Sequence, residues 1–290
     1  MANDREVLRE VWDGRLPIKF SIGEEDRELL LTEKDPYYIL VPRMTYLPLL
    51  PVKKHFESAI PVTDSSDNQP TELWFSYNDV PLKWQVPIGV LYDLVGGDTL
   101  PWEIKLRISE FPDDKLSRLG TNLEEIVRSS FIHNVKEAGY MKHRGAVMMH
   151  LLPDQHTQLW RGLHRDKFDD FWKINHRLME HIDNAPYRCI PFRIYSGIHD
   201  RYIQKFFKPM TKDEKLTTLG QLLKQFLPES VVESDDSDDP DVIKSYEVSN
   251  GWKVKIHGIE TPLNTPIQWL SEHLSHADNF LYIVTVNSNS

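Results

Sequence analysis

Apolar residues recur at steps of three and four in the middle of the chain. From position 121 to position 138 these residues are Leu123, Ile126, Val127, Phe131, Val135 and Ala138. Such spacing predicts a helix with one buried face. Thr121 and Glu124 have the spacing of a capping box at its start. Lys136 lies off the apolar stripe, so we expect its side chain to point into water.

The helical pattern continues to about Asp183. A second helix is predicted after Pro153, and a third after Asp166, whose carboxylate we expect to cap it. The apolar positions of these two helices are Leu159, Trp160, Leu163, Phe168, Phe171, Trp172, Leu178, Met179 and Ile182. The pattern therefore predicts a block of three packed helices.

The same order of short elements stands before and after this block. Each copy predicts strand, strand, helix, strand, a short apolar turn and a final strand. From Pro87 in one copy and Pro266 in the other, similar residues recur at offsets of one, four, six and eight. They are Ile88, Leu91, Asp93 and Val95 in the first copy, and Ile267, Leu270, Glu272 and Leu274 in the second. This is the element order of the β-grasp fold, so we predict an α+β protein with two ubiquitin-like domains flanking a central helix-rich domain.

These patterns predict three domains. The first, 1–111, holds an N-terminal helix and one ubiquitin-like domain, and the second, 112–187, is the helix-rich domain. The third, 188–290, is the other ubiquitin-like domain. An acidic run that is nearly free of apolar residues lies within 228–251, and it predicts a surface loop inserted in the third domain.

Charge and hydropathy narrow the classes of partner. The formal net charge is -10, and no basic run interleaved with aromatic residues occurs, so nucleic acid is not an expected partner. The most apolar stretch, from Tyr37 to Val52, is interrupted by Arg43 and three prolines, so no membrane span is predicted. We expect a soluble, cytoplasmic protein.

Cys189 is the single cysteine, which excludes intramolecular disulfides and cysteine-based zinc clusters. It is a candidate thioester-forming nucleophile, because Arg188 beside it would lower the thiol pKa. Its apolar neighbourhood instead favours a buried, structural cysteine.

Other candidate sites lack the spacing that chemistry needs. Five histidines of the helical block show no metal-ligand spacing; they are His150, His156, His164, His176 and His181. Gly96-Gly97-Asp98 lacks the lysine of a phosphate loop, and the acidic residues 233–239 lack the spacing of a calcium loop. We therefore predict no metal, no cofactor and no catalytic residues.

Several longer motifs occur in one order along almost the whole chain. They include Val11-Trp12-Asp13-Gly14-Arg15-Leu16-Pro17, Pro81-Leu82-Lys83-Trp84, Leu100-Pro101-Trp102, Lys136-Glu137-Ala138, Phe168-Asp169-Asp170-Phe171-Trp172, Ile190-Pro191-Phe192-Arg193-Ile194-Tyr195 and Gln268-Trp269-Leu270-Ser271-Glu272-His273-Leu274. In these motifs the chain resembles the autophagy-related protein 5 family. The acidic run within 228–251 departs from the family pattern.

The resemblance implies a site and a set of partners. In that family a lysine of the first long central helix accepts the C-terminal glycine of the ubiquitin-like autophagy-related protein 12, and the matching position is Lys136. The conjugate resembles an E3-like factor for the lipidation of autophagy-related protein 8 in autophagosome formation, with no catalytic residues of its own. The family also binds an N-terminal helix of autophagy-related protein 16 in a groove lined by the three domains.

Further expectations follow from the same resemblance. The conjugating enzymes implied are autophagy-related proteins 7, 10 and 3. The implied location is the cytoplasm, with peripheral contact at the phagophore membrane. We interpret Trp12, Gly14 and Arg15 as packing the N-terminal helix onto the first ubiquitin-like domain.

Two alternatives stay open at this point. One is a thioester enzyme that uses Cys189. The other is a membrane or cytoskeletal adaptor with tandem ubiquitin-like domains and no conjugation.

Overall fold

The computed structural model describes residues 4–61, 72–97, 99–118, 120, 122–143, 151–180, 186–197, 201–233 and 245–287. The chain divides into two compact units, Asp13–Ser130 and Met1–Trp12 with Phe131–Ser290. The boundaries at 111 and 187 stay a prediction. The first helix among the described residues is α1 (Arg5–Trp12), which belongs to the second of these units.

The unit Asp13–Ser130 is built on a five-stranded sheet. Its elements in chain order are β1 (Arg15–Ile22), β2 (Tyr37–Pro42), α2 (Val52–Phe56), β3 (Trp74–Tyr77), β4 (Val80–Pro81), α3 (Ile88–Val95) and β5 (Trp102–Arg107). The strand order is β2-β1-β5-β3-β4, with β1 parallel to β5 and all other neighbours antiparallel. Every second residue of β1 is buried, because only one face of the strand is turned to the core.

Three helices follow, as the apolar spacing predicts. They are α4 (Leu123–His143), α5 (Pro153–His164) and α6 (Phe168–Met179). On α4 the residues Val127, Phe131 and Val135 are buried, but Ile126 is exposed, so the buried stripe is narrower than predicted. The predicted cap residue Thr121 lies outside the described residues.

The predicted cap of α6 is wrong. Lys167, not Asp166, occupies the N-cap position, and no side chain caps the helix. Asp166 instead has a left-handed backbone, with φ of 53°. The backbone N–H of Lys167 donates to the carbonyl of Gly162 at 2.8 Å, so the tight turn from α5 determines where α6 begins.

Helices α5 and α6 approach closely at Gly162. A methyl group on Gly162 would lie 2.7 Å from the Cα of Phe171. The absence of a side chain at this position therefore lets the backbone of α5 pack directly against α6.

Helix α1 packs on α6, which corrects the interpretation of Trp12. The Trp12 ring lies 5.9 Å from the ring of Phe168 and 4.8 Å from that of Phe171. Arg9 lies over the Phe168 ring and forms an ion pair with Asp169 at 2.8 Å. The aromatic face of α6 therefore holds the first helix, because it offers Trp12 two rings at favourable packing distances.

The second sheet repeats the first. The elements of this part of the chain are, in order, β6 (Ile190–Tyr195), β7 (Ile203–Phe207), α7 (Leu219–Phe226), β8 (Val231–Glu233), β9 (Tyr246–Val248), β10 (Trp252–Ile256), β11 (Ile259–Glu260), α8 (Ile267–His273) and β12 (Leu281–Asn287). The order β11-β10-β12-β6-β7, with β6 parallel to β12, is the order of the first sheet. The predicted fold class is confirmed: two ubiquitin-like folds, separated along the sequence by a helical region.

The short apolar turn predicted in each copy is a helix. These helices are α3 and α8, and each begins directly after the proline from which the repeat was counted. The offsets of one, four and eight place apolar residues on one helical face. Proline at the helix start is tolerated because its missing N–H would have no intrahelical partner there.

The predicted loop 228–251 is ordered at both ends. Pro228–Ser230 forms a turn of 3₁₀ helix, and β8 and β9 pair as a two-stranded sheet. Val231 of β8 is buried and pairs with Val248 of β9. The two ends of the segment are therefore structured, which the acidic composition of the whole segment did not indicate. The residues between them, 234–244, lie outside the described residues.

Helix α7 begins with a complete capping box. The Thr218 hydroxyl accepts from the backbone N–H of Gln221 at 3.4 Å, and the Gln221 side chain accepts from the Thr218 N–H at 3.0 Å. We expect Thr218→Ala to lower the free energy of unfolding by about 1 kcal/mol, measured by urea denaturation. Thr218→Ser keeps the hydroxyl and should lose much less; equal losses would contradict a capping role.

Candidate functional site

Lys136 is exposed on α4. Its neighbours Val135 and Ala138 are completely buried, so the helix turns its apolar stripe inward and leaves Lys136 outside, as the spacing predicts. Among the described residues none forms a hydrogen bond or an ion pair with the Lys136 amine. An exposed primary amine on a rigid helix is accessible to an incoming electrophile.

The rotation of α4 is held from the second sheet. Glu137 accepts a hydrogen bond of 2.8 Å from the Gln204 amide on β7. One turn earlier, the Asn134 carbonyl accepts from Arg193 on β6 at 3.1 Å, and its amide donates to Asp278 at 3.2 Å. These bonds fix the inner face of α4, and thereby fix Lys136 on the outer one.

The centre of this network is buried. Arg193 and Asp278 are almost fully removed from solvent, and their closest atoms lie 3.4 Å apart. The Tyr282 hydroxyl donates to the Asp278 carboxylate at 2.7 Å. Since a buried charge without partners is costly, this satisfied network resists rearrangement.

A second lysine of α4 is sealed inside the protein. Lys142 is only 1% exposed, its amine lies 3.3 Å from the Met179 sulfur and 4.9 Å from the centre of the Tyr187 ring. Burial lowers the pKa of Lys142 to about 7, and the charges of Glu272 and Asp278 oppose this only partly.

Of the two lysines of α4, Lys142 has the lowered pKa but is buried, whereas Lys136 is exposed. A lowered pKa makes Lys142 a better nucleophile at neutral pH than an ordinary lysine, yet no protein-sized electrophile can reach it. We did not predict this burial from the sequence, although position 142 continues the stripe of Phe131, Val135 and Ala138 by one further step of four.

Cys189 is a buried, free cysteine. Burial raises the pKa of its thiol, and the opposing effects of Arg188 and Lys208 are smaller. The expected lowering by Arg188 is therefore outweighed, and the thiol is held in its unreactive, protonated form.

The remaining candidate groups do not converge. The His176 Nδ1–H donates to the Trp172 carbonyl at 3.0 Å, and the other ring nitrogen lies 3.6 Å from Glu180. His150 and His181 lie outside the described residues. Across the described ranges, no three His, Cys, Asp or Glu side chains come together as a metal site.

Gly97 has a left-handed backbone typical of a turn. In the same ranges no helix has the length and apolar character needed to cross a bilayer.

Known proteins match the chain along almost its whole length. Three family models of autophagy protein ATG5 match in order: the UblA domain at residues 11–108, the alpha-helical bundle region at 124–181 and the UblB domain at 189–285. Autophagy protein 5 of Drosophila melanogaster is 36% identical over 288 residues, which cover 98% of this chain and 97% of the relative. Autophagy-related protein 5 of Caenorhabditis elegans is 30% identical, with 97% and 98% covered.

A solved structure shares the fold. The crystal structure of Kluyveromyces marxianus Atg5 matches with a TM-score of 0.73 at 20% identity, covering 97% of this chain and 99% of that one. Together with the family models and the relatives, this likeness shows that the chain belongs to the autophagy protein 5 family and has a role in autophagy.

Proposed function

We propose that this protein is the acceptor of autophagy-related protein 12, joined by an isopeptide bond to Lys136. The observation that carries this proposal is the exposed amine of Lys136 on a helix whose inner face is held by buried polar bonds. The sealed position of Lys142 removes the other lysine of the same helix from competition.

The reaction needs only an accessible amine in this chain. After the Lys136 amine loses a proton to solvent, its nitrogen attacks the carbonyl carbon of the thioester that links the modifier to its conjugating enzyme. A C–N bond forms, the C–S bond breaks, and the enzyme's sulfur leaves as a thiolate, while the second proton that the nitrogen loses as the amide forms passes to solvent. The chain supplies position and the enzyme supplies the activated acyl group.

The conjugate then acts as a scaffold. With a bound helix of autophagy-related protein 16 it serves as the E3-like factor for lipidation of autophagy-related protein 8, at the phagophore surface, in contact with autophagy-related proteins 7, 10 and 3 at successive steps. The protonated, buried thiol of Cys189 supports this scaffold role over a thioester enzyme.

The direct test is the intact mass of the full chain after incubation with the conjugating enzymes, the modifier and ATP. We expect a gain equal to the mass of one modifier less one water molecule, and a peptide map that places the branch at Lys136. A chain that stays unmodified while a known acceptor is conjugated in parallel would overturn the proposal and favour the non-conjugated adaptor.

A further inference from the structure

A large aromatic side chain is exposed to solvent one helical turn after Lys136. Tyr140 is 63% exposed, and its position four residues on places it beside Lys136 on the same face of α4. On the other side, His133 is also exposed and lies three residues earlier. An aromatic ring left in water next to a reactive group is a typical feature of a contact surface.

The second sheet adds another aromatic residue to this surface. Gln204 of β7 bonds to Glu137, the neighbour of Lys136. Phe206 lies two residues further along β7, about 7 Å away by strand geometry, and is 55% exposed. We call His133, Lys136 and Tyr140 of α4, with Phe206 of β7, the acceptor face.

The geometry of acyl transfer decides what must cover this face. Attack requires the Lys136 nitrogen within about 3–3.5 Å of the thioester carbon. A protein–protein interface of standard size covers about 800 Å² on each partner, a patch of radius about 16 Å. Since one helical turn rises only about 5.4 Å, a globular enzyme that reaches Lys136 also covers Tyr140.

We propose that Tyr140 is a docking residue for the thioester-charged conjugating enzyme, with Phe206 extending the apolar contact. This inference rests on the proposed function and deepens it, because it names the residue that directs the enzyme to this lysine. Tyrosine is suited to the role because its rigid ring buries a large area at a small entropic cost and is enriched among residues that dominate binding energy. His133 forms part of the polar rim.

The test is the kinetics of conjugation on the full chain, with the charged conjugating enzyme varied in concentration. We expect Tyr140→Ala to raise KM by about tenfold and to change kcat by less than about twofold, because the ring binds the enzyme and does not touch the reacting atoms. Tyr140→Phe should keep most of the contact. Tyr38→Ala is the matched control, since Tyr38 is 62% exposed on β2, and its KM should equal that of the wild type.

Each outcome separates this inference from the proposed function. If the wild type is conjugated at Lys136 and Tyr140→Ala has an unchanged KM, or if Tyr38→Ala shows the same loss, the docking role is wrong while the acceptor role stands. The uncharged enzyme should also bind Tyr140→Ala about tenfold more weakly. Unchanged binding of the uncharged enzyme would assign the contact to the modifier and overturn the inference. A wild-type chain that is never conjugated overturns the proposed function itself.

Discussion

Replacing Lys136 with arginine is expected to abolish the gain of mass on conjugation. Arginine keeps the positive charge and nearly the length of the side chain, but its guanidinium stays protonated at all accessible pH values and is not a nucleophile. Because the side chain is exposed, the free energy of unfolding should change by less than about 0.5 kcal/mol. If the proposed binding of the autophagy-related protein 16 helix exists, it should persist, because the substitution keeps the charge of the side chain. The measurement is intact mass after conjugation, with urea denaturation of the same sample.

An exposed lysine elsewhere in the helical region supplies the control. Lys173 on α6 is exposed, so Lys173→Arg removes one accessible amine and should leave the yield of conjugate unchanged. A conjugate of full yield on Lys136→Arg would place the acceptor at another residue. Loss of conjugation on both variants would indicate an effect of arginine that does not depend on position.

The second large effect concerns the sealed amine of Lys142. We expect Lys142→Met to stabilise the protein by about 3–5 kcal/mol at pH 6. Methionine has a similar length and carries no charge, so it imitates the neutral form of the lysine among Met179 and Tyr187. What is removed is the cost of keeping a protonated amine out of water.

The sign of the pH dependence follows from the lowered pKa. In the folded chain Lys142 releases its proton near pH 7, whereas in the unfolded chain it does so near its ordinary value of 10.5. Between these values the unfolded state binds one more proton, so this group makes the free energy of unfolding rise with pH. Below pH 7 the folded state bears the full cost of the buried charge. The stability advantage of Lys142→Met should therefore be largest below pH 7 and almost vanish by pH 10.

Urea denaturation of both proteins from pH 6 to pH 10 measures this difference. Lys173→Met is the control, because that side chain is exposed and its removal should change the free energy of unfolding by less than about 0.5 kcal/mol. An advantage of Lys142→Met that is constant across the range would show that the amine does not change its protonation state on folding.

Regular spacing made most of the fold predictable. The apolar residues of α4 recur every three or four positions, and the two prolines at 87 and 266 mark equivalent points in two sheets of identical strand order. Both patterns involve residues that are close together in the sequence, so they can be recognised without knowing which distant parts of the chain are in contact. The exposure of Lys136 followed from the same periodicity.

Contacts between distant parts of the chain were not predictable. Asn134 and Asp278 are 144 positions apart, and nothing in the local pattern pairs them. The interpretation of Trp12 was wrong for the same reason. An aromatic residue at the end of a helix is expected to be buried, but the sequence does not show which element covers it. Lys142 was overlooked because lysine is rarely buried, although its position on the stripe favoured burial.

The two sheets share a topology but differ in how many of their faces are buried. Along β1 burial alternates, but every residue of β6 is buried and so are the first five of β12, because α4 lies against the face opposite α7 through Asn134 and Glu137. Strands that are buried on both faces belong to a sheet that is covered on both sides, whereas the sheet of an isolated ubiquitin-like domain has one face in water. A fragment that contains only the second sheet and its own helices would expose Arg193 and Asp278 to water. We therefore expect this ubiquitin-like fold to need α4 for its stability.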